Sequence, residues 1–319
     1  MQIRRQLQAV LVSEALLLLA TINSESEAYA ATGSPPPPTQ AHYHLTIIDI
    51  PDQIFMGPFA PNAEGVTGGY YVDSEGHTHG FLWRDGIVTT LDAPGWVDTG
   101  VTAINDLGVV SGEYDDGVSV SHAFLYRIKD GSWTELPTLP GTPIQSNTVL
   151  NNKGTVVGSA AKGDVPAFYD AAGWIWDGRS YSFFTAPEAS ASGAGTQPLG
   201  INDLEQVVGF YADDLGADHG FLKDRKSITS FDVPGADWTW PFGINDEGDI
   251  VGTYYIFSPS YVEQGFILHE GQFHTFEVPG NNGGLTGINN RGVMSGTYAD
   301  SNGIWHGFIA TPEGCGDDR

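Results

Sequence analysis

Seven residues of this chain could, by type and spacing, grip a sugar: Trp96, Asp98, Asp237, Trp238, Trp240, Asn281 and Asn282. An indole offers a flat apolar face on which a sugar ring can stack. Neighbouring carboxylates and amides can hydrogen-bond its hydroxyls. The competing role for the tryptophans is to plug gaps in a packed core. Asp98 and Asp237 could instead serve as acid and base of a carbohydrate-active enzyme, which needs two carboxyl groups about 5–10 Å apart. Both readings depend on a scaffold that brings distant segments to one face.

Other residues invite chemistry and return less. His79, His122, His219 and His306 stand at matching places in repeated phrases. A zinc ion would need them to converge within about 2 Å of one centre, which repeated units do not allow, so a structural hydrogen bond to a hairpin carbonyl is expected. Asp73, Asp213 and Asp300 each begin an acidic phrase with glycine three residues on. Calcium takes six to eight oxygens, and these phrases are shorter than an EF-hand loop, while aspartate and glycine are also ordinary turn residues. Calcium is therefore the one cofactor left open, and none other is implied. No G-x-S-x-G, Walker or H-E-x-x-H motif occurs, so nucleophilic catalysis has no support in the sequence.

Composition narrows the partners. Thirteen basic against 39 acidic residues give a formal charge of -26, which repels phosphate backbones and excludes nucleic acid. A single cysteine, Cys315, rules out an internal disulfide. The 42 glycines follow no Gly-X-Y period. Spread among Val, Ile, Thr, Tyr and aromatic residues, they indicate many short strands joined by tight turns.

The element that must position the candidate residues is a repeat. Gly243–Tyr254 reads GINDEGDIVGTY, and related lines occur at 102–114, 200–211 and 287–298, with worn copies at 149–160 and 61–71. Aligned on Asn62, Asn105, Asn151, Asn202, Asn245 and Asn289, the copies are 43 to 51 residues apart. Periods of this size mark solenoids or propellers. Each unit divides into four strand-like runs: in the second, A at 100–105, B at 109–114, C at 121–127 and D at 132–138. Asn-Asp-x-Gly between A and B is hairpin chemistry, in which asparagine and glycine tolerate positive φ. Alternation places His122, Phe124 and Tyr126 on one face and Val110, Gly112 and Tyr114 on one face. Aromatic rows against glycines suit blades packed face to face.

The last unit lacks run D, and HLTIIDIP at 44–51 matches the missing run. The sequence thus predicts an all-β, six-bladed β-propeller of four-stranded antiparallel blades, closed by an N-terminal strand that completes the last blade. The D–A and B–C loops then share one end. The D–A loops vary, which suits recognition on a rigid scaffold, and they carry the seven candidate residues.

These units resemble the HAF repeat of predicted extracellular bacterial proteins. The His-Ala-Phe tripeptide stands at His122-Ala123-Phe124, with His-Gly-Phe variants beginning at His79, His219 and His306. Residues 43–311 carry the resemblance, and it departs at Gln264-Gly265-Phe266 and Ala172-Gly173-Trp174. It implies an extracellular, β-rich repeat protein and supplies no catalytic residues.

Residues 1–30 read as an export signal: Arg4 and Arg5, an apolar segment, and Ala28-Tyr29-Ala30 before the cleavage point. The apolar run is too short to span a bilayer. A proline-rich linker follows at 31–42, then the propeller at 43–311 and a flexible tail at 312–319. The expected protein is a secreted or periplasmic monomer, not an integral membrane protein, that binds a glycan or another extracellular protein without catalysis. A carbohydrate-active enzyme on the same face, or a structural envelope protein, are the alternatives.

Overall fold

The structure, a computed structural model, describes residues 43–115, 121–139, 145–161, 171–190, 195–280 and 282–313. The export signal and linker read over 1–42, and the tail from 314, lie outside the described residues. The first strand, β1 (Tyr43–Ile48), stands apart from its neighbours in sequence. Blade 1 then comprises β2 (Gln53–Pro58), β3 (Thr67–Asp73), β4 (Thr78–Arg84) and β5 (Ile87–Thr90). Blade 2 comprises β6 (Asp98–Ile104), β7 (Val109–Asp115), β8 (Ser121–Arg127) and β9 (Ser132–Glu135). Blade 3 has β10 (Gln145–Leu150), β11 (Val156–Ala161), β12 (Ala171–Trp176) and β13 (Tyr181–Phe184). Blade 4 has β14 (Thr196–Ile201), β15 (Val207–Ala212), β16 (Asp218–Lys223) and β17 (Ile228–Phe231). Blade 5 has β18 (Trp238–Ile244), β19 (Ile250–Ile256), β20 (Val262–His269) and β21 (Gln272–Phe276). Blade 6 has β22 (Asn282–Ile288), β23 (Met294–Ala299) and β24 (Trp305–Pro312), and β1 pairs antiparallel with β24 as its fourth strand.

The molecule is a six-bladed β-propeller, closed as the sequence predicts. Its core is a set of wedges between blades. Leu91 and Ala93 of blade 1 pack with Val101, Val110, Tyr114 and Phe124 of blade 2, for example. The aromatic of each H-[AG]-F phrase or its variant (Phe81, Phe124, Trp174, Phe221, Phe266 and Phe308) is fully buried. Burial of one such side chain is worth about 1.5–3 kcal/mol. The glycines face these rings differently from the expected blade-on-blade packing. Phe124 lies over Gly112, its own cross-strand partner, and a Cβ there would sit 2.6 Å from the ring. The ring is accommodated within its blade.

Two details of the innermost strands matter for the site. In blades 2, 4, 5 and 6 the inner ladder slips at Thr102, Leu199, Phe242 and Thr286. Such a bulge leaves one residue unpaired and re-aims its side chain, and here all four line the axial cavity. The A–B turns, meanwhile, do not place their asparagines at positive φ. That conformation falls three residues later, at Gly65, Gly108, Gly154, Glu205, Gly248 and Gly292. The asparagines are retained for another reason, given below.

Candidate functional site

The two ends of the propeller differ in kind. At the turn end, where the A–B turns meet, two belts of hydrogen bonds run from blade to blade. Asn105 accepts from Leu107 and Val109 N–H at 3.1 and 2.9 Å through Oδ1, closing its own turn. Its Nδ2 donates to the carbonyl of Asn151 in the next blade at 3.1 Å. Asn62, Asn151 and Asn202 donate in the same way to the next asparagine carbonyl, and Asn289 donates to Pro61. In the second belt, backbone N–H groups of Ala63, Asp106, Asn152, Asp203 and Asp246 donate to Asp106, Asn152, Asp203, Asp246 and Asn290 respectively. The belts surround a cavity of about 190 Å³ with Phe59, Leu199 and Phe242 in its lining. Its rim groups are bonded to one another, so this end is chiefly a fastening.

The loop end carries the D–A and B–C loops. At the seam of blades 4 and 5, Trp238 and Trp240 of blade 5 and Phe210 of blade 4 form a stack that runs inward. Trp238 lies 5.9 Å from Trp240 with planes 11° apart, and Trp240 lies 4.9 Å from Phe210 at 15°. Trp240 is buried, and its indole N–H donates to Asp218 at 2.8 Å. Trp238 is half-buried and meets the edge of Phe257, which is 37% exposed, at 4.8 Å. Asp237 Oδ2 accepts the Phe257 N–H at 2.7 Å, so the D–A and B–C loops of this blade are tied together. Tyr261, in the same B–C loop, donates to Glu263 at 3.0 Å.

The remaining candidates stand elsewhere. Trp96, 37% exposed, rests on Tyr114 at 4.4 Å and His122 at 5.2 Å on blade 2. Asp98 begins β6 and accepts the Thr78 N–H at 2.8 Å. Asn282 is half-buried at the start of β22, and Asn281 lies outside the described residues. The fold therefore groups Asp237, Trp238 and Trp240. It places Trp96 and Asp98 three blades away, across the axis.

The histidines are fixed by carboxylates, where a hairpin carbonyl was expected. His79 Nδ1 meets Asp92 at 3.0 Å, His122 meets Glu135 at 2.9 Å, and His219 meets Asp232 at 2.8 Å. His306 meets Asp49 at 2.6 Å across the closure. Each acid sits thirteen residues after its histidine in the unbroken blades, a spacing legible in the sequence. Asp73 and Asp213 use Oδ1 to accept their own loop N–H groups and point Oδ2 at His79 and His219. The Asp73 carboxyl is held below the usual range, foremost by the His77 amide. These oxygens face N–H donors, an environment that suits an anion. Among the described residues, no three or more His, Cys, Asp or Glu are grouped to hold a metal ion.

Sequence reasoning did not find the deep carboxyls of the loop end. Burial pushes Glu113, Asp218 and Glu263 each up to about 7, because a charge removed from water is costly. Their signal would have been an acid in an otherwise apolar or small-residue strand position.

No protein-family model matches the chain, and no curated protein matches it. Solved structures share the fold at low identity. A protein of unknown function from Dyadobacter fermentans aligns with TM-score 0.51 and 11% identity over 90% of this chain and 100% of that one. A lectin of Aleuria aurantia, in complex with Fucalpha1-6GlcNAc, aligns with TM-score 0.50 and 12% identity over 84% and 100%. A protein provisionally assigned as a gluconolactonase aligns with TM-score 0.50 and 12% identity over 89% and 97%.

Proposed function

We propose that this chain is an exported, non-catalytic propeller of the HAF-repeat kind that binds a glycan at its loop end. The observation that carries the reading is the blade 5 stack, in which Trp238 emerges at the rim beside Asp237 and Phe257. A half-exposed indole backed by two further rings is a rigid apolar platform, and its ordering is complete before a ligand arrives. The hydrogen bond that ties the two loops fixes Phe257 beside it. A lectin sharing the fold holds a fucosylated disaccharide, which supports the class of ligand and no particular residue.

The test is a glycan array and polysaccharide pull-down with the wild type, Trp238→Ala and Phe257→Ala. Removal of either ring should weaken binding by about tenfold or more, which corresponds to about 1.4 kcal/mol. Phe257 is exposed enough that its variant keeps the fold, as the unfolding midpoint will report. Absence of any retained glycan, or retention untouched by both changes, would overturn the reading.

A further inference from the structure

One layer of the propeller is built differently in each blade. Where the inner strand faces the second strand, the cross-strand pairs are Gly57 with Tyr70, Gly100 with Glu113, and Ser146 with Ser159. The other three are Gln197 with Phe210, Trp240 with Thr253, and Gly284 with Thr297. The space above the glycines is filled in two cases: a Cβ on Gly57 would meet the Tyr70 ring at 3.0 Å, and one on Gly284 would strike Thr253. Gly100 is the exception, with nothing within 4 Å of the position its Cβ would take. Its φ is not positive, so no backbone constraint requires glycine there.

The space left at Gly100 belongs to a cavity of about 50 Å³ between blades 1 and 2, lined by Tyr70, Thr78, Asp98, Thr99, Thr102 and Glu113 as well. Thr78, Asp98, Thr99 and Glu113 lie toward the ends of their strands nearest the D–A and B–C loops, while Tyr70 and Thr102 close the cavity at mid-strand. Glu113 is half-buried as a residue, and the Asp98 side chain keeps accessible surface. Thr148 N–H from blade 3 donates to Glu113 Oε1 at 3.1 Å, while Thr78 N–H holds Asp98 Oδ1. The volume admits a hydroxyl or hydroxymethyl group and is too small for a sugar ring.

We propose that this cavity, across the axis from the blade 5 platform, is a second subsite of the loop end that takes a hydroxyl-bearing substituent of an oligosaccharide long enough to span the two, held between the carboxyl groups of Glu113 and Asp98. The inference rests on the glycan-binding reading above. A hydroxyl both donates and accepts. Asp98 can accept from it, and Glu113, while protonated, can donate to it. The groups facing Glu113 are Tyr70 from blade 1, Asp98 with His77 3.6 Å behind it, and the blade 3 amides of Asn147 and Thr148. Loss of the Glu113 proton removes the donor.

The experiment uses the glycan probe that the wild type retains best on the array. Gly100→Leu fills the cavity and should weaken binding by about tenfold with an unchanged thermal midpoint. Gly100→Ser, the residue that blade 3 carries as Ser146, guards against misfolding and should weaken binding in the same direction. Wild-type affinity should fall as pH rises from about 6 to about 8.5, and Glu113→Gln, which keeps an N–H donor at every pH, should flatten that profile. If Trp238→Ala abolishes binding while both Gly100 variants bind as the wild type does, the subsite is overturned and the platform stands. The subsite is likewise overturned if Glu113→Gln keeps the wild-type pH slope. If the wild type retains no glycan, the platform and the subsite fall together.

Discussion

Asparagine and aspartate are nearly isosteric, and the A–B turns depend on the difference. Asn151 is 4% exposed; its Oδ1 closes its own turn while its Nδ2 reaches the Asn202 carbonyl of the next blade. An aspartate could perform the first task and not the second, and it would place a charge where water is scarce. We expect Asn151→Asp to lower unfolding stability in urea by about 2–3 kcal/mol, the cost of an unmet buried acceptor and a desolvated charge. Asn152→Ala, in the second belt, should cost less, about 1 kcal/mol. Equal losses would show that the asparagine belt has no special weight. The six asparagines were plain in the sequence as a repeat. Their reason was not, because four of them donate to a carbonyl 43 to 51 residues away, and Asn289 to one 228 residues away, that only the closed ring brings near. Gly100 and Glu113 were invisible for a related reason: a void is a property of register and of neighbours, which one strand does not carry.

At the scale of the element, strands C and D are tied by the histidine and its acid. The hydrogen bond that His219 donates to Asp232 raises its imidazole to about 9 from an ordinary 6.5, against the opposing effect of desolvation. A folded-state value raised above the unfolded one stabilises fully below pH 6.5, and this contribution is lost as pH climbs through about 9. The wild type should therefore lose more thermal midpoint than His219→Gln between about pH 6 and pH 10, the two curves converging at the alkaline end. Parallel curves would mean that the pair contributes nothing, the common outcome for exposed ion pairs. The runs themselves were legible: the third strand of blade 2 spans Ser121–Arg127 as read, and the fourth stops at Glu135, short of the expected 138. Proline at 137 removes an N–H donor, which explains the earlier stop. The clamp was half legible. Blade 3 lacks the histidine and also the acid thirteen residues on, having Ala172 and Thr185, but whether such a pair touches depends on which strands lie side by side.

For the whole molecule, the decisive joint is between β1 and β24, since a ring of blades keeps its loop end in register only while it is closed. Six residue pairs, from Tyr43 with Pro312 to Ile48 with Gly307, make the joint. Its ends reach both neighbouring wedges: Ile48 is fully buried with Met56, Phe81 and Ile309 at the blade 1 seam, and Tyr43 meets Phe276 of blade 5 at 5.6 Å. Asp49 adds the clamp on His306. A chain lacking residues 43–49 leaves the outer edge of β24 unpaired, with apolar surface exposed beside it, which is a template for association. It should lose several kcal/mol of stability, of which the contacts of Ile48 alone account for about 2–4, and should elute as oligomers in size-exclusion chromatography. A chain that begins at residue 43 should unfold like the full protein. The contrast separates closure from simple loss of core, because Leu199→Ala, on an inner strand far from the joint, removes a comparable side chain and leaves every strand paired. If that variant matched the truncation in both midpoint and elution, the strand would be one more packed element and the ring would not depend on its latch.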